Sequence, residues 1–395
     1  MSREIYLDNN ATTRPLPEVI DAMVVALDAG FGNASSAHSV GERARLQLRQ
    51  ARESVAALIG ASDTQIIFTS GGTEANNVVL ASVVQRPNAC RRIVTSQVEH
   101  SSVLHMGKYL ESMGCEVVYL PVDRYGLISL DDLDEAIRPQ TDLVSIQWVN
   151  NETGTIQPIE SIGLLCRARN VRFHTDAAQA VGKLPVAVES LPIDFLTFTA
   201  HKLHGPSGVG AICAKDPQLI RSQLHGGPQE NGRRSGSENL PGIVGFGVAA
   251  SIRHSQQDVT IATYGYLRNR FERRILDSIP GVEVNGSAEH RVCNTTNLMF
   301  PHVDGQALVA RLDQVGVQCS QSSACTNHRP EPSYVLRAMG LSEDAAYSSV
   351  RFSVAAGTTS KALDYAAQEI ERICSQLREF ELNLVPSGVY QKQVG

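Results

Sequence analysis

The chain reads as an α/β protein: a large part built on a mostly parallel sheet flanked by helices, joined to a smaller α+β part. Three observations predict this. Short apolar runs at 92–96, 116–120, 142–149, 171–175, 193–199 and 208–213 alternate with helix-like segments, the pattern of strands joined by crossover helices. Polar clusters follow directly on four of these runs: Val98-Glu99-His100-Ser101, Asn150-Asn151-Glu152-Thr153-Gly154-Thr155, His174-Thr175-Asp176-Ala177-Ala178-Gln179 and Thr199-Ala200-His201-Lys202. Such sheets bind ligands beyond the carboxyl ends of their strands, so these clusters point to one shared site. After Arg221 the composition changes, and a glycine-rich, charged, non-periodic segment over 223–239 leads into a long helical stretch. With 395 residues the chain exceeds one simple core, which argues for two domains. We expect a large domain over 15–257 and a small one from 1–14 and 258–395.

In chain order, residues 5–8 form a short strand that runs into the polar loop Asp8-Asn9-Asn10-Ala11-Thr12-Thr13. Helices are expected from Pro15 to Ala29 and from Gly41 to Ile59, where charged residues interleave with Leu46, Val55, Leu58 and Ile59. Then Gln65-Ile66-Ile67-Phe68-Thr69-Ser70-Gly71-Gly72-Thr73-Glu74-Ala75-Asn76-Asn77 reads as strand, glycine turn and helix start. A junction of that kind offers free backbone N–H groups and a positive dipole end to an anion. It is not a P-loop, since the lysine of that motif is missing. Glycines serve ordinary strand–helix turns equally well, and both readings stand. Beyond 239, one helical stretch from about Ile243 to Ile279 precedes strands near 281–284, 294–300 and 315–319 and helices near 305–314 and 361–380.

Composition narrows the partners. The chain is 42% apolar and 19% charged, with net charge −6 and no basic block, which argues against nucleic acid and anionic membranes. No apolar run is long enough to span a bilayer, and the N-terminal residues lack a signal-peptide core. A cytoplasmic protein is expected. Eight scattered cysteines include no CxxC pair; this argues against a disulfide framework or a zinc site and fits a reducing compartment.

Three stretches carry chemistry. In Asp194-Phe195-Leu196-Thr197-Phe198-Thr199-Ala200-His201-Lys202-Leu203-His204-Gly205-Pro206, a buried-strand pattern ends at one lysine. Desolvation disfavours the charged form of such an amine and makes it a nucleophile of the Schiff-base kind, although most lysines are solvated surface residues. The second stretch, Val317-Gln318-Cys319-Ser320-Gln321-Ser322-Ser323-Ala324-Cys325-Thr326-Asn327-His328, sets Cys325 among small polar residues with His328 and Arg329 beside it. That surrounding suits a reactive thiolate; Cys319, which ends an apolar pattern, suits packing. The third is Tyr347-Ser348-Ser349-Val350-Arg351-Phe352-Ser353-Val354, a strand with one arginine in its middle. A buried arginine needs a carboxylate or phosphate, so Arg351 holds either a substrate carboxylate or a structural ion pair.

A lysine amine, an anion cradle, an aspartate at a strand end, an aromatic ring at His100 and a carboxylate anchor form the inventory of a pyridoxal 5′-phosphate enzyme. Its aldehyde needs an amine, and its ring nitrogen needs an acid to stay protonated. The residues then reach a resemblance. From Tyr6-Leu7-Asp8-Asn9-Asn10-Ala11-Thr12-Thr13 to Ser349-Val350-Arg351-Phe352-Ser353, the chain resembles the cysteine desulfurases of the nitrogen-fixation and iron–sulfur-assembly type, class V aminotransferases of fold type I. Its most specific motifs are Asn150-Asn151-Glu152-Thr153-Gly154, His174-Thr175-Asp176-Ala177-Ala178-Gln179, His201-Lys202-Leu203-His204-Gly205-Pro206, and Ser323-Ala324-Cys325-Thr326 with Glu331-Pro332-Ser333-Tyr334.

The resemblance implies pyridoxal 5′-phosphate as cofactor, with Lys202 forming the imine to its aldehyde and later moving protons. Asp176 would pair with the ring nitrogen, Gln179 with the phenolic oxygen, and His100 would stack on the ring. Gly72, Thr73, Thr199 and His201 would hold the phosphate, and Ser237 would reach in from the other subunit of a homodimer. Asn151 and Arg351 would bind the carboxylate of L-cysteine. Cys325 would take up sulfur as a persulfide, releasing alanine and passing the sulfur to an iron–sulfur scaffold or other acceptor protein. The loop of about 319–332 resembles the long-loop group. Two departures from the family pattern stand in it: Ser322 where glycine is usual, and the bulkier, more basic Asn327-His328-Arg329-Pro330. Glycine loss and proline both narrow the loop's conformations. The same resemblance admits a selenocysteine lyase or related β-eliminating enzyme, which could dispense with Cys325. A non-catalytic scaffold on this fold would be expected to have lost the lysine or the aspartate, and both are present.

Overall fold

The structure is a computed structural model and describes residues 4–85, 91–321 and 331–384, with side chains to 379. Its strands are β1 (Ile5–Tyr6), β2 (Ile66–Thr69), β3 (Arg92–Ser96), β4 (Glu116–Leu120), β5 (Leu143–Ser145), β6 (Arg172–Asp176), β7 (Phe195–Thr199), β8 (Gly210–Ala214), β9 (Glu283–Val284), β10 (Thr295–Met299), β11 (Val317–Gln318) and β12 (Ser349–Ser353). The helices are α1 (Pro17–Asp28), α2 (Ser39–Leu58), α3 (Gly72–Val84), α4 (Ser101–Ser112), α5 (Leu130–Ala136), α6 (Ile159–Ala168), α7 (Leu240–Ser255), α8 (Gln257–Ser278), α9 (Gly305–Gln314), α10 (Tyr334–Ala338), α11 (Glu343–Tyr347) and α12 (Ser360–Leu384). No helix among the described residues is long and apolar enough to cross a membrane.

The central sheet has seven strands in the order β2-β8-β7-β6-β5-β3-β4. Its pairs are parallel except those of β8, which runs against both β7 and β2. Successive side chains of a strand point to opposite faces, and the core divides accordingly. Ile67, Ile93, Leu143, Phe195 and Ile212 join α3 and α4 in one apolar cluster. Phe68, Val94, Val144, Leu196 and Ala211 join α2, α6 and α7 in the other. Buried on both faces, these strands read as continuous apolar runs, as the sequence pattern implied. A three-stranded antiparallel sheet, β12-β10-β9, and the parallel pair β1-β11 come from the remainder of the chain.

Two expected elements are corrected. The run 142–149 is strand only over β5: beyond Ser145 the Gln147 N–H on the β3 side is taken by the Glu99 carboxylate at 2.9 Å, although Ile146 and Trp148 still donate to His174 O and Asp176 O of β6. The stretch from Ile243 to Ile279 is two helices that meet at Gln256 (φ −115°, ψ 13°). There the Ser255 hydroxyl donates to the Ile252 carbonyl at 3.0 Å, a local bond that competes with the helix ladder, and the Gln257 side-chain amide donates to Leu184 O, 73 residues away, at 2.7 Å.

The β2–α3 turn rests directly on β8. A Cβ added to Gly210 would lie 2.7 Å from the Gly71 carbonyl carbon and 2.9 Å from Phe198 O, all backbone atoms that cannot rotate aside. Gly210→Ala is therefore expected to cost about 1–3 kcal/mol through overpacking. In urea the unfolding midpoint should fall with an unchanged slope.

Candidate active site

The carboxyl ends of β6 and β7, the start of α3, the start of α4 and the 8–11 loop surround one cavity of about 460 Å³. Gly72, Thr73, His100, Asn151, Asp176, Gln179, Thr199, His201, Lys202 and Arg351 all line it. Ser237 is exposed and lies away from this cavity in its own chain. Cys325, with Ser322 and Asn327-His328-Arg329-Pro330, lies outside the described residues.

Lys202 ends a short 3-10 turn, Ala200–Lys202, that caps β7. That turn is clamped from both sides. Thr13 donates its N–H to His201 O at 2.9 Å, and His204 sits at φ +66° with its Nδ1 donating to Arg14 O at 2.8 Å. The Lys202 amine donates to Asn10 O and, at 2.6 Å, to Ala11 O. Burial pushes the amine down to about 8, and the Arg351 guanidinium adds to the effect against the opposing pull of Asp8 and Asp176. Burial likewise pushes His201, whose Nδ1 is 3.1 Å from Thr12 Oγ1, down to about 4. The Thr199 hydroxyl donates to Val209 O at 3.0 Å.

Asp176 is buried at the end of β6 and is held from two directions. Ala178 N donates to Oδ1 at 2.9 Å, and Asn76 Nδ2 donates to Oδ2 at 2.7 Å. Behind Asn76 runs a fixed chain of bonds. Thr197 Oγ1 donates to Asn76 Oδ1 at 2.5 Å, and His174 Nε2 meets that hydroxyl at 3.1 Å, its Nδ1 facing Ser145 Oγ at 2.8 Å. Since the Thr197 proton goes to Asn76, His174 must be the donor. Burial, pushing His174 down to about 4, keeps it neutral.

His100 is the N-cap of α4. Its Nδ1 accepts from Ser102 N at 3.2 Å and lies 2.8 Å from Ser102 Oγ. Burial lowers its proton affinity, so a neutral ring accepting at Nδ1 carries its proton on Nε2. Beside it, burial raises the Glu99 carboxyl to about 8 despite bonds from Ser96 and from Gln147 N.

The opposite wall holds Arg351 on β12. Its Nη2 pairs with Asp8 Oδ1 at 2.5 Å and its Nη1 donates to Asn151 O at 3.1 Å. The structural ion pair read from sequence is thus present, on a residue that also faces the cavity. Two polar atoms here, Arg351 Nε and Asn151 Oδ1, are buried without a hydrogen-bond partner among the described residues. Ser320 also lines the cavity and exchanges backbone bonds with Arg351 at 3.2 and 2.8 Å. Across the following segment, the Ser333 hydroxyl donates to the Glu152 carboxylate and the Tyr334 hydroxyl to Glu99 O at 2.7 Å.

Asn10, Asp8, Asn76, Ser102 and Gln147 also line the cavity, and sequence reading assigned them no role. For Asn76 a signal existed: a polar residue on the otherwise apolar face of α3, one turn after Gly72. For Asn10 none did, since its partners Asn151, Gln179, Lys202 and Thr295 are 141 to 285 residues away.

The donor set fits pyridoxal 5′-phosphate. No side chain caps α3 at Gly71, a residue at φ +155° and ψ −179°, so the N–H groups at Gly72 and Thr73 are left for an anion. A Cβ at Gly72 would meet only Thr199, at 3.9 Å, which leaves room for a group against the helix end. The amine, the buried carboxylate and the unpartnered Arg351 and Asn151 atoms complete the set.

Comparison with known proteins agrees with this architecture. A solved structure of a NifS-like protein superposes with a TM-score of 0.88 at 36% identity, covering 95% of this chain and 100% of that one. A second, SspA in complex with cysteine, gives a TM-score of 0.79 at 35% identity over 89% of this chain and 98% of that one. The fold is that of the fold type I pyridoxal phosphate enzymes. Residues 5–365 match the aminotransferase class-V family, and the chain belongs to it. It is 44% identical to a cysteine desulfurase of Trichormus azollae over 374 residues, 95% of this chain and 94% of the relative.

The lowered Lys202 amine has a measurable consequence. Its neutral, nucleophilic form should dominate above pH about 8, against about 10.4 for an ordinary lysine. The rate at which the cofactor-free chain traps an aldehyde should therefore rise with pH, with its midpoint at about 8, and level off above it. Arg351→Met removes a neighbouring cation and should move that midpoint upward; Asp8→Asn removes an anion and should move it downward.

Proposed function

We propose that this chain is a pyridoxal 5′-phosphate-dependent cysteine desulfurase that converts L-cysteine to L-alanine and leaves the sulfur as a persulfide on Cys325. One observation carries the reading: Lys202, Asp176 and the uncapped start of α3 share a cavity with the unpartnered polar atoms of Arg351 and Asn151. The identity to named cysteine desulfurases supports the substrate, as does the related structure described with cysteine.

In this reading Lys202 and Asp176 hold the two reactive ends of the cofactor, the aldehyde and the ring nitrogen, and Gln179 holds the phenolic oxygen. Gly72, Thr73, Thr199 and His201 hold its phosphate. When bound, pyridoxal 5′-phosphate supplies an electron sink for the substrate α-carbon. The chain does the rest. Arg351 and Asn151 anchor the substrate carboxylate, and Arg351 exchanges its Asp8 partner for that ligand. Lys202, with an amine near neutrality, moves protons at the substrate nitrogen and α-carbon. His100 stacks on the ring and offers a proton at Nε2. The Cys325 thiolate attacks the substrate sulfur, the carbon–sulfur bond breaks, and the carbon takes up a proton. The net change, L-cysteine plus thiol to L-alanine plus persulfide, balances without an external oxidant.

The proposal extends to delivery. Ser320 on the cavity wall stands five positions before Cys325, which supports a thiol able to reach the substrate from that loop. The persulfide sulfur then passes to an iron–sulfur scaffold or other acceptor protein. Ser237, exposed in its own chain, is offered to the partner subunit of a homodimer, and the enzyme works in the cytoplasm. The division into a cofactor-binding domain of 15–257 and a small domain of 1–14 and 258–395 is supported by the sheets. The seven-stranded sheet draws on 66–214, and the three-stranded one on 283–353.

The test combines turnover with mass spectrometry after cysteine addition. The peptide containing Cys325 should gain one sulfur atom, and Lys202→Ala should lower alanine formation by about 10²–10⁴-fold, the range of a lost proton-transfer group. Cys325→Ala should abolish sulfur delivery to an acceptor protein. Full-rate delivery by Cys325→Ala would overturn the persulfide role and move the chain to the β-eliminating alternative.

A further inference from the structure

Lys183 is fully buried behind the cavity wall, and no carboxylate among the described residues pairs with it. Three cations, Lys202, Arg253 and Arg351, lie in its surroundings, and the buried Cys293 thiol pulls the other way. A buried amine without an anion is costly, so its hydrogen bonds are informative. There are two. Nζ donates to Gln179 Oε1 at 2.5 Å and to Asn10 Oδ1 at 3.3 Å.

The first bond decides which way the Gln179 amide faces. With Oε1 committed to the lysine, Nε2 turns to the other side, where it donates to Asn10 O at 2.9 Å. The flipped amide would oppose Nε2 to the Lys183 donor and Oε1 to the Asn10 carbonyl, two repulsive contacts in place of two bonds. An amide held this way keeps its second N–H for the cavity that Gln179 lines. The second bond reaches Lys202. Asn10 O also accepts from the Lys202 amine, while Asn10 Nδ2 donates to Thr295 Oγ1 at 2.8 Å and to Asn151 O at 3.1 Å.

We propose that Lys183 is a positioning residue that presents the Gln179 amide N–H to the phenolic oxygen of the cofactor. This rests on the cofactor reading above. The neutralising effect of burial, which pushes Lys183 down to about 7, fits a residue that acts through its donors rather than through its charge. Either protonation state has the two N–H groups these bonds need.

The test follows the absorbance of the bound cofactor against pH in the holoenzyme. A donor on the phenolic oxygen favours the deprotonated chromophore, so losing it raises the titration midpoint. Lys183→Met should raise the midpoint by about one unit. Lys183→Gln, which keeps a neutral N–H donor, should titrate like the natural chain. Gln179→Leu should shift as Lys183→Met does, and the double variant Gln179→Leu/Lys183→Met should shift no further, since residues acting through one another are not additive. An unchanged midpoint in Lys183→Met, an equal shift in Lys183→Gln, or an additional shift in the double variant would overturn the proposal. Should Lys183→Met fail to fold, the double variant, in which neither partner is left unpaired, decides. Its equality with Gln179→Leu supports the proposal, and its failure to fold overturns it. A natural chain that binds no pyridoxal 5′-phosphate would instead defeat the cofactor reading.

Discussion

An amine set at the end of a strand that is buried along its whole length loses solvation, and a charged ammonium loses most. The chain around Lys202 stabilises the amine without neutralising it. Two backbone carbonyls of the 10–11 loop accept its protons, while Asp8 is engaged by Arg351 at 2.5 Å and Asp176 by Asn76 at 2.7 Å. Among the described residues no carboxylate is left to form a tight ion pair with the lysine, and the amine stays near neutrality. Lys183 likewise has no carboxylate partner among the described residues.

The loop at 8–11 joins the parts of this site. Asn10 touches the Lys202 turn, Gln179 after β6, Asn151 after β5 and Thr295 on β10. Asp8 bridges to Ser353 on β12 and holds Arg351. A segment beside the N-terminus thus reads out both the seven-stranded and the three-stranded sheet. Movement of one against the other would be felt at the Lys202 amine, the Gln179 amide and the Arg351 guanidinium together.

Much of this was legible in the residues. Strands such as 92–96 and 116–120 stood out because burial on both faces leaves a continuous apolar run. Lys202, Asp176 and Gly72 stood out because each places a polar or flexible residue at the edge of such a run, and Arg351 because it interrupts one in the middle. The run at 142–149 misled because Ile146, Trp148 and Val149 are as buried as any strand residue, while what takes the Gln147 N–H on the β3 side is a carboxylate from 48 residues away. The helical stretch beyond 243 misled in the opposite sense, because its break at Gln256 rests on hydrogen bonds rather than on a proline or glycine.

By itself the sequence determined the α/β class, the strand-end positions of the chemistry-bearing residues and their resemblance to one family of sulfur-mobilising enzymes. These follow from local patterning: periodicity, punctuation and residue type at a given spacing. Only the tertiary structure decided how polar groups distant in sequence satisfy one another. It determined that Asp176 is held by Asn76, that Arg351 rests on Asp8, and that Lys183 reaches back to Asn10. Hydrogen-bond partners a hundred or more residues apart leave no local pattern, because any side chain with a donor or acceptor could have met them. The fold alone selects which one does.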